Sequence, residues 1–176
     1  MCTICDLRIE FSVDHPSSFS VAVETRRAID AGVLPQFEGS MEDGRSRQKA
    51  INTLKAARQR LEWTLQSEDL LALPDFFVLL IESRTWAFFR PTLTGFDPNC
   101  RPAPPNVLAD EAAVRDAVVV TSELAMSEIV AGRLPFANAL LERIVTLDAD
   151  ATRRDRLLGA WSAAYPEIGF SRFVCA

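Results

Sequence analysis

Only one imidazole is available for acid–base chemistry, that of His15. It lies where a strand-like segment hands over to a helix, beside Asp14, Ser17 and Ser18, a setting that can hold a general base working with a nearby carboxylate. The same neighbours also suit a solvated turn whose polar residues cap the helix, so a hydrolase-like use of His15 and a purely local role are both open. A single histidine excludes zinc sites of the His-Glu-x-x-His type. Thiolates are the remaining route to a small metalloprotein: Cys2 and Cys5, with Cys100 and Cys175, make four. The spacer Thr3-Ile4 argues against it, because a metal turn needs a flexible residue there, and Cys5 shares the parity of Leu7 and Ile9 as a small core hydrophobe. No metal and no cofactor are expected, since phosphate loops, nucleophile elbows and dinucleotide fingerprints are also missing.

Two further groups carry charge. Arg45, Arg47, Lys49, Lys55, Arg58 and Arg60 precede the first acid, Glu62. Of these, Arg45, Lys49 and Arg60 fall on one exposed face at helical spacing, where they can meet an acidic partner or an anionic ligand, or simply be solvated. The second group breaks or ends the apolar stretch Phe76–Pro91: Glu82 and Arg84 sit inside it and Arg90 near its end. Arg84, Arg90 and Trp86 are the candidate ligand-binding residues, at a pocket mouth or at an exposed turn.

The elements that must position these residues follow from periodicity. Phe76–Ile81 and Trp86–Phe89 are short apolar runs that suit a buried hairpin, although their linker lacks the Gly or Asn that tight turns favour. A buried helix starting at Pro74 is the rival reading. Trp86 is expected inside the main core. Leu7, Ile9, Phe11 and Val13 alternate with polar residues, as in a half-buried strand. A helix is expected over Pro16–Ala31, with Phe19, Ala22, Val23 and Ile29 as its apolar face and Gly32 and Pro35 as stops. A second is expected over Arg45–Gln66, where Ala50, Leu54, Ala57, Leu61 and Leu65 form one stripe. Residues 91–106 hold five of the ten prolines and read as an irregular crossing loop or lid. Beyond it the chain looks mainly helical: Leu108–Ala131, with Ala117–Thr121 as an alternative strand, then a helix from Pro135 carrying Phe136, Leu140 and Ile144. The last helix covers Ala151–Ala164, capped by Asp148 or Asp150, with Leu157, Leu158, Trp161 and Tyr165 inward, and Phe170–Cys175 could close the sheet.

The totals bound the rest. A chain of 176 residues with 48% hydrophobic and 24% charged residues suits one globular domain over 1–176, an N-terminal α/β half joined by the proline-rich loop to the helical half. A net charge of −5 argues against nucleic acid. No apolar run approaches the roughly 20 residues of a membrane span, and the first ten residues lack a secretory pattern, so a cytoplasmic protein with reduced thiols is expected. Val118–Thr121, then Ile129–Ala139 with Gly132-Arg133, then Ile144–Leu147 and a helix, together resemble the later part of sterol-carrier-type lipid-binding domains. Two glycines of that pattern are replaced near Glu142 and Asp148. The resemblance implies an apolar ligand. The expected fold is α+β, a small antiparallel sheet of the N-terminal strand and central hairpin under about five helices. The expected function is a non-enzymatic binding module for a small apolar ligand or a protein partner, with self-association as a further expectation.

Overall fold

The computed structural model describes residues 14–36 and 43–166. The expected strand Leu7–Val13, the expected closing strand Phe170–Cys175, and Cys2, Cys5 and Cys175 lie outside these residues. In chain order the elements are α1 (Ser18–Asp30), α2 (Asp43–Thr64), α3 (Ser67–Leu71), β1 (Phe76–Leu80), β2 (Thr85–Phe89), β3 (Pro91–Thr92) and β4 (Gly95–Phe96). They continue with β5 (Ala117–Thr121), α4 (Glu123–Val130), α5 (Phe136–Leu141), β6 (Val145–Asp148) and α6 (Ala151–Ala164). The protein is α+β, but the sheet differs from the expected antiparallel one. It is mixed, four strands in the order β2-β1-β5-β6, and six helices accompany it among the described residues.

The central stretch is a hairpin, with Leu80 opposite Thr85 and Phe76 opposite Phe89. The positive φ that its linker lacked a glycine for is adopted by Arg84, at 49°. β5 then lies parallel to β1, Phe76 beside Ala117 and Leu80 beside Thr121, and β6 runs antiparallel to β5. So the region 108–131 is not one long helix. Ala117-Val-Val-Val-Thr121 is fully buried as a central strand, the environment that favours β-branched residues on both faces. The second half therefore contributes two of the four strands. Ile144 is likewise not on the helix of Phe136 and Leu140. α5 stops at Leu141, Arg143 takes φ 56°, and Ile144 leads into β6.

The proline-rich stretch is not wholly irregular either. Its first residues form the two-residue ribbon β3–β4, in which Pro91 pairs with Phe96 and Thr92 with Gly95. Phe96 is buried edge-on to Phe89 at 5.2 Å and to Phe76 at 6.0 Å. A ribbon this short tolerates Pro because it has solvent, not a ladder, on its outer side. The remainder of the loop is pinned, with the Asn106 N–H donating to Asp116 Oδ2 at 2.7 Å and Val107 buried.

Alternation along β1 separates two apolar clusters. Phe76, Val78 and Leu80 join the large one, with α2 residues Ala50, Leu54, Ala57 and Leu61 and with Met126, Phe136, Leu157 and Trp161. Phe77 and Leu79 join the small one, with Val21, Trp86, Val107, Val118 and Val120. Trp86 is fully buried, as expected, but in this smaller cluster, edge-on to Phe77. The stripe of α2 is as expected. The face of α1 is not: it buries Val21, Thr25 and Ala28, and Phe19 is 80% exposed. Ala22 is also exposed. Both stripes have helical spacing, and the choice between them is made by the sheet strands available to cover.

Candidate functional site

His15 is the first place to look for chemistry. It precedes α1 and is buried, with its Nε2 3.1 Å from Asp148 Oδ2 and its Nδ1 accepting the Ser17 N–H at 3.1 Å. Because the backbone donates to Nδ1, that nitrogen holds its lone pair and the ring proton sits on Nε2, directed at Asp148. Burial moves the His15 pKa below its ordinary value, the Asp148 carboxylate partly offsets that, and the Arg115 guanidinium adds to the lowering. Asp148 is shared: its Oδ1 lies 3.1 Å from Arg115 Nη2. The sequence reading offered Asp148 as a cap for α6. The cap is Asp150, which accepts the Arg153 N–H, and this frees Asp148 at the end of β6 for the histidine.

The pairing of a histidine with a carboxylate thus exists, across 133 residues. It does not resemble a working base, since a general base needs one ring nitrogen facing the substrate. Here one nitrogen faces Asp148 and the other faces Ser17, within a ring that solvent barely reaches. Asp14 points elsewhere, with its Oδ1 3.6 Å from Arg84 Nε.

The other candidates are not brought together. Arg84 lies on the hairpin turn, where it lines a shallow cleft of about 470 Å³ that His15 also borders, with Asp14, Phe19, Leu79 and Glu82. Arg90 is on the far end of β2, where it binds Asp75 at 3.0 Å and lies over the Phe88 ring. Trp86 is inside the fold and lines neither. Among the described residues no three His, Cys, Asp or Glu side chains are grouped to hold a metal, and Cys100 is a partly exposed free thiol. No helix among them is long and apolar enough to cross a membrane.

What the sequence reading missed is Trp63. It is 82% exposed on α2, at the rim of a cleft of about 450 Å³ between α2, the end of α4 and the end of α6. The lining runs from Ala56, Gln59, Arg60 and Trp63 to Val130, Leu134 and Tyr165, without a carboxylate. Arg60 donates its Nε–H to the Ala164 carbonyl at 3.1 Å, closing an orphan acceptor at the end of α6. Among the described residues it has no ion-pair partner, and neither has Lys49. The contrast is Arg58 on the same helix, which is consumed by Glu62 at 2.9 Å and by the Phe96 carbonyl. A second cleft, lined by Gln48, Lys49, Asn52, Thr53, Ala56 and Val130, shares Ala56 and Val130 with the first. The two clefts adjoin along α2, with Lys49 lining one and Arg60 and Trp63 the other. Arg45, the third cation of the expected face, lies in the first turn of α2. The signal for Trp63 was present in the sequence: an aromatic two residues off the Ala50–Leu65 stripe, on the charged side of an amphipathic helix.

Comparison with known proteins finds no match, whether with family models, curated proteins or solved structures. The likeness of Val118–Trp161 to sterol-carrier-type domains accordingly carries no weight beyond the residues that suggested it.

Proposed function

We propose that this chain is a non-enzymatic binding module whose α2 groove receives an acidic segment of a partner protein bearing an apolar or aromatic anchor. The observation that carries this reading is Trp63, exposed over an apolar cleft beside an Arg60 that has no ion-pair partner among the described residues. Trp and Arg are the side chains that most often dominate binding energy at interfaces, and here the two flank one cleft. The cleft at Arg60 favours an anion because its lining holds no carboxylate, whereas Lys49 lies near enough to Glu128 to help lower its pKa. Lys49 and Trp63 are separated by about 21 Å along a helix rising about 1.5 Å per residue, which fits an elongated segment better than a compact small molecule. His15 contributes nothing to this surface, and its occupied nitrogens weigh against the hydrolase-like alternative.

The test is selection from a displayed random-peptide library, followed by anisotropy titration of the selected peptides. Acidic peptides with an aromatic or aliphatic anchor are expected, with affinity that weakens in salt. Trp63→Ala should weaken them by roughly 30-fold, the equivalent of a hot-spot residue, and Arg60→Gln by roughly tenfold. Uncharged peptides, or binding indifferent to both substitutions, would remove the proposal. Saturation of the same cleft by a small apolar acid such as octanoate, with the same dependence on Arg60 and Trp63, would instead assign it to a small ligand. Sedimentation of the protein alone separates a second copy of the chain from a foreign partner.

A further inference from the structure

We propose that His15 is an acid-released latch that holds the N-terminal turns of α1 against the sheet. The geometry is a matter of donors and acceptors. In the neutral ring Nδ1 accepts from the Ser17 N–H and Nε2–H donates to Asp148, so one imidazole ties the start of α1 to the end of β6. A proton added to Nδ1 would face the Ser17 N–H, two donors with no acceptor between them. The charged ring can keep Asp148 only by giving up the Ser17 N–H, which leaves the first turn of α1 to its backbone bonds.

Among the described residues the other ties at that end of α1 are backbone bonds, Ser18 N–H to the His15 carbonyl at 2.9 Å and Val21 N–H to the Ser17 carbonyl at 3.0 Å, and the burial of Val21. Ser17 at the N-cap makes no side-chain capping bond, and no acid occupies the first turn. Val21 is the only α1 residue in the small apolar cluster, whereas Ala28 and the following Leu34 anchor the other end to the large one. Release at His15 would pivot the helix on Ala28 and draw Val21 away from the small cluster.

The charged groups around the ring are Asp148 from β6, Arg115 from the segment before β5, and Asp14 with Arg84 and Glu82 from the hairpin side. Asp148 favours the protonated ring and Arg115 opposes it, while Asp14 is occupied by Arg84. Burial is the larger influence and keeps the latched ring neutral. The released ring has its ordinary value of 6.5, so the proton binds the open form preferentially.

The experiment is hydrogen exchange at pH 7.5 and 5.5 on the whole chain, corrected for intrinsic rates and resolved into segments covering 18–25 and 117–121. A site that titrates only when open changes the opening equilibrium by about tenfold between these values. Protection of 18–25 should fall by about that factor while 117–121 is unchanged. His15→Asn keeps an oxygen able to accept the Ser17 N–H without a titrating group, and should show no pH-dependent difference. Glu82→Gln should retain the wild-type drop. The latch is overturned if 18–25 keeps its corrected protection at pH 5.5, if 117–121 loses protection in step, or if the drop disappears in Glu82→Gln. The wild-type comparison decides the matter even if His15→Asn fails to fold.

Discussion

Phe76, Val78 and Leu80 point from β1 into a cluster that also contains residues of α2, α4, α5 and α6, whereas among the described residues Phe77 and Leu79 join a smaller cluster with Val21, Val107 and their own sheet neighbours. The first face is held by apolar area, supplied by four helices whose stripes were written for it. Among the described residues the second has fewer apolar side chains, supplemented by polar ties: His15 to Asp148, Arg115 to Asp148, and Arg153 to the carbonyls of Ala112 and Ala113. Apolar packing has no titrating group, whereas the tie through His15 does. The difference teaches that conditions, more than mutations, should separate the two faces.

The sharpest way to break that comparison is Trp86→Ala. Trp86 is fully buried, edge-on to Phe77 at 6.0 Å, and is the largest side chain of the thin face. Truncating a buried aromatic typically costs about 3–5 kcal/mol, a large share of the roughly 5–15 kcal/mol that holds a domain. The urea midpoint is expected to fall accordingly. A loss below about 1 kcal/mol would mean that the thin face collapses around the cavity or contributes little, and the contrast between the faces would be overstated.

A smaller effect sharpens it. Asp148→Ala leaves the His15 Nε2–H and the Arg115 guanidinium without their carboxylate, which should cost about 1–3 kcal/mol near neutral pH. The pH dependence has a definite sign. The folded His15 pKa is lowered, so the unfolded chain binds the proton first, and stability is full above about 6.5 and falls as pH drops through the folded value. Asp148 is what raises that folded value, so its loss should extend the decline to lower pH. Urea titrations between pH 8 and 5 measure both. A profile identical to wild type would show that His15 does not sense Asp148.

These ties also mark how far the sequence could be read. The stripe of α2 and the span of α6 were legible because each is a local pattern with a helical period, and the hairpin because two short apolar runs flank a polar spacer, with a buried helix as the rival reading. Ala117–Thr121 was ambiguous because an apolar run buried on both faces has no period to show. The partnership of His15 and Asp148 was invisible, since no spacing rule links residues 133 apart. Asp148 was instead offered as one of two caps for α6, beside Asp150, which is the cap. The face of α1 was misjudged for the same reason: Phe19 and Val21 are both apolar, and only the tertiary partner selects Val21. Trp63 was overlooked because it broke the pattern used to find the helix.

The smallest effect expected comes from Arg143, and it runs toward greater stability. Three helices end in the same reversal. After α1, Gly32 at φ 74° donates to the Ile29 carbonyl and Val33 to Ala28; after α4, Gly132 at φ 73° donates to Ile129 and Arg133 to Glu128. After α5 the same bonds run from Arg143 to Leu140 and from Ile144 to Ala139, but the residue at φ 56° has a side chain. The left-handed region costs a residue with a Cβ about 1–2 kcal/mol, and glycine is the usual occupant of this position. Ile144 must nevertheless turn inward there, because it is fully buried and starts β6. Arg143 itself is exposed and has no hydrogen-bond or ion-pair partner in its side chain among the described residues, so removing that side chain breaks no contact. Against the relief stands the greater freedom of glycine in the unfolded chain, roughly 0.4–1 kcal/mol. The balance predicts that Arg143→Gly stabilises by about 0.5–1 kcal/mol, and that Arg143→Val, with a branched Cβ in the same conformation, destabilises. Because Ile144 and β6 belong to the densely packed face, this gain should appear in the urea midpoint without altering the acid sensitivity set by His15. A change in that sensitivity would show that the end of α5 and the histidine are coupled through β6, and that the two faces are less independent than their packing implies.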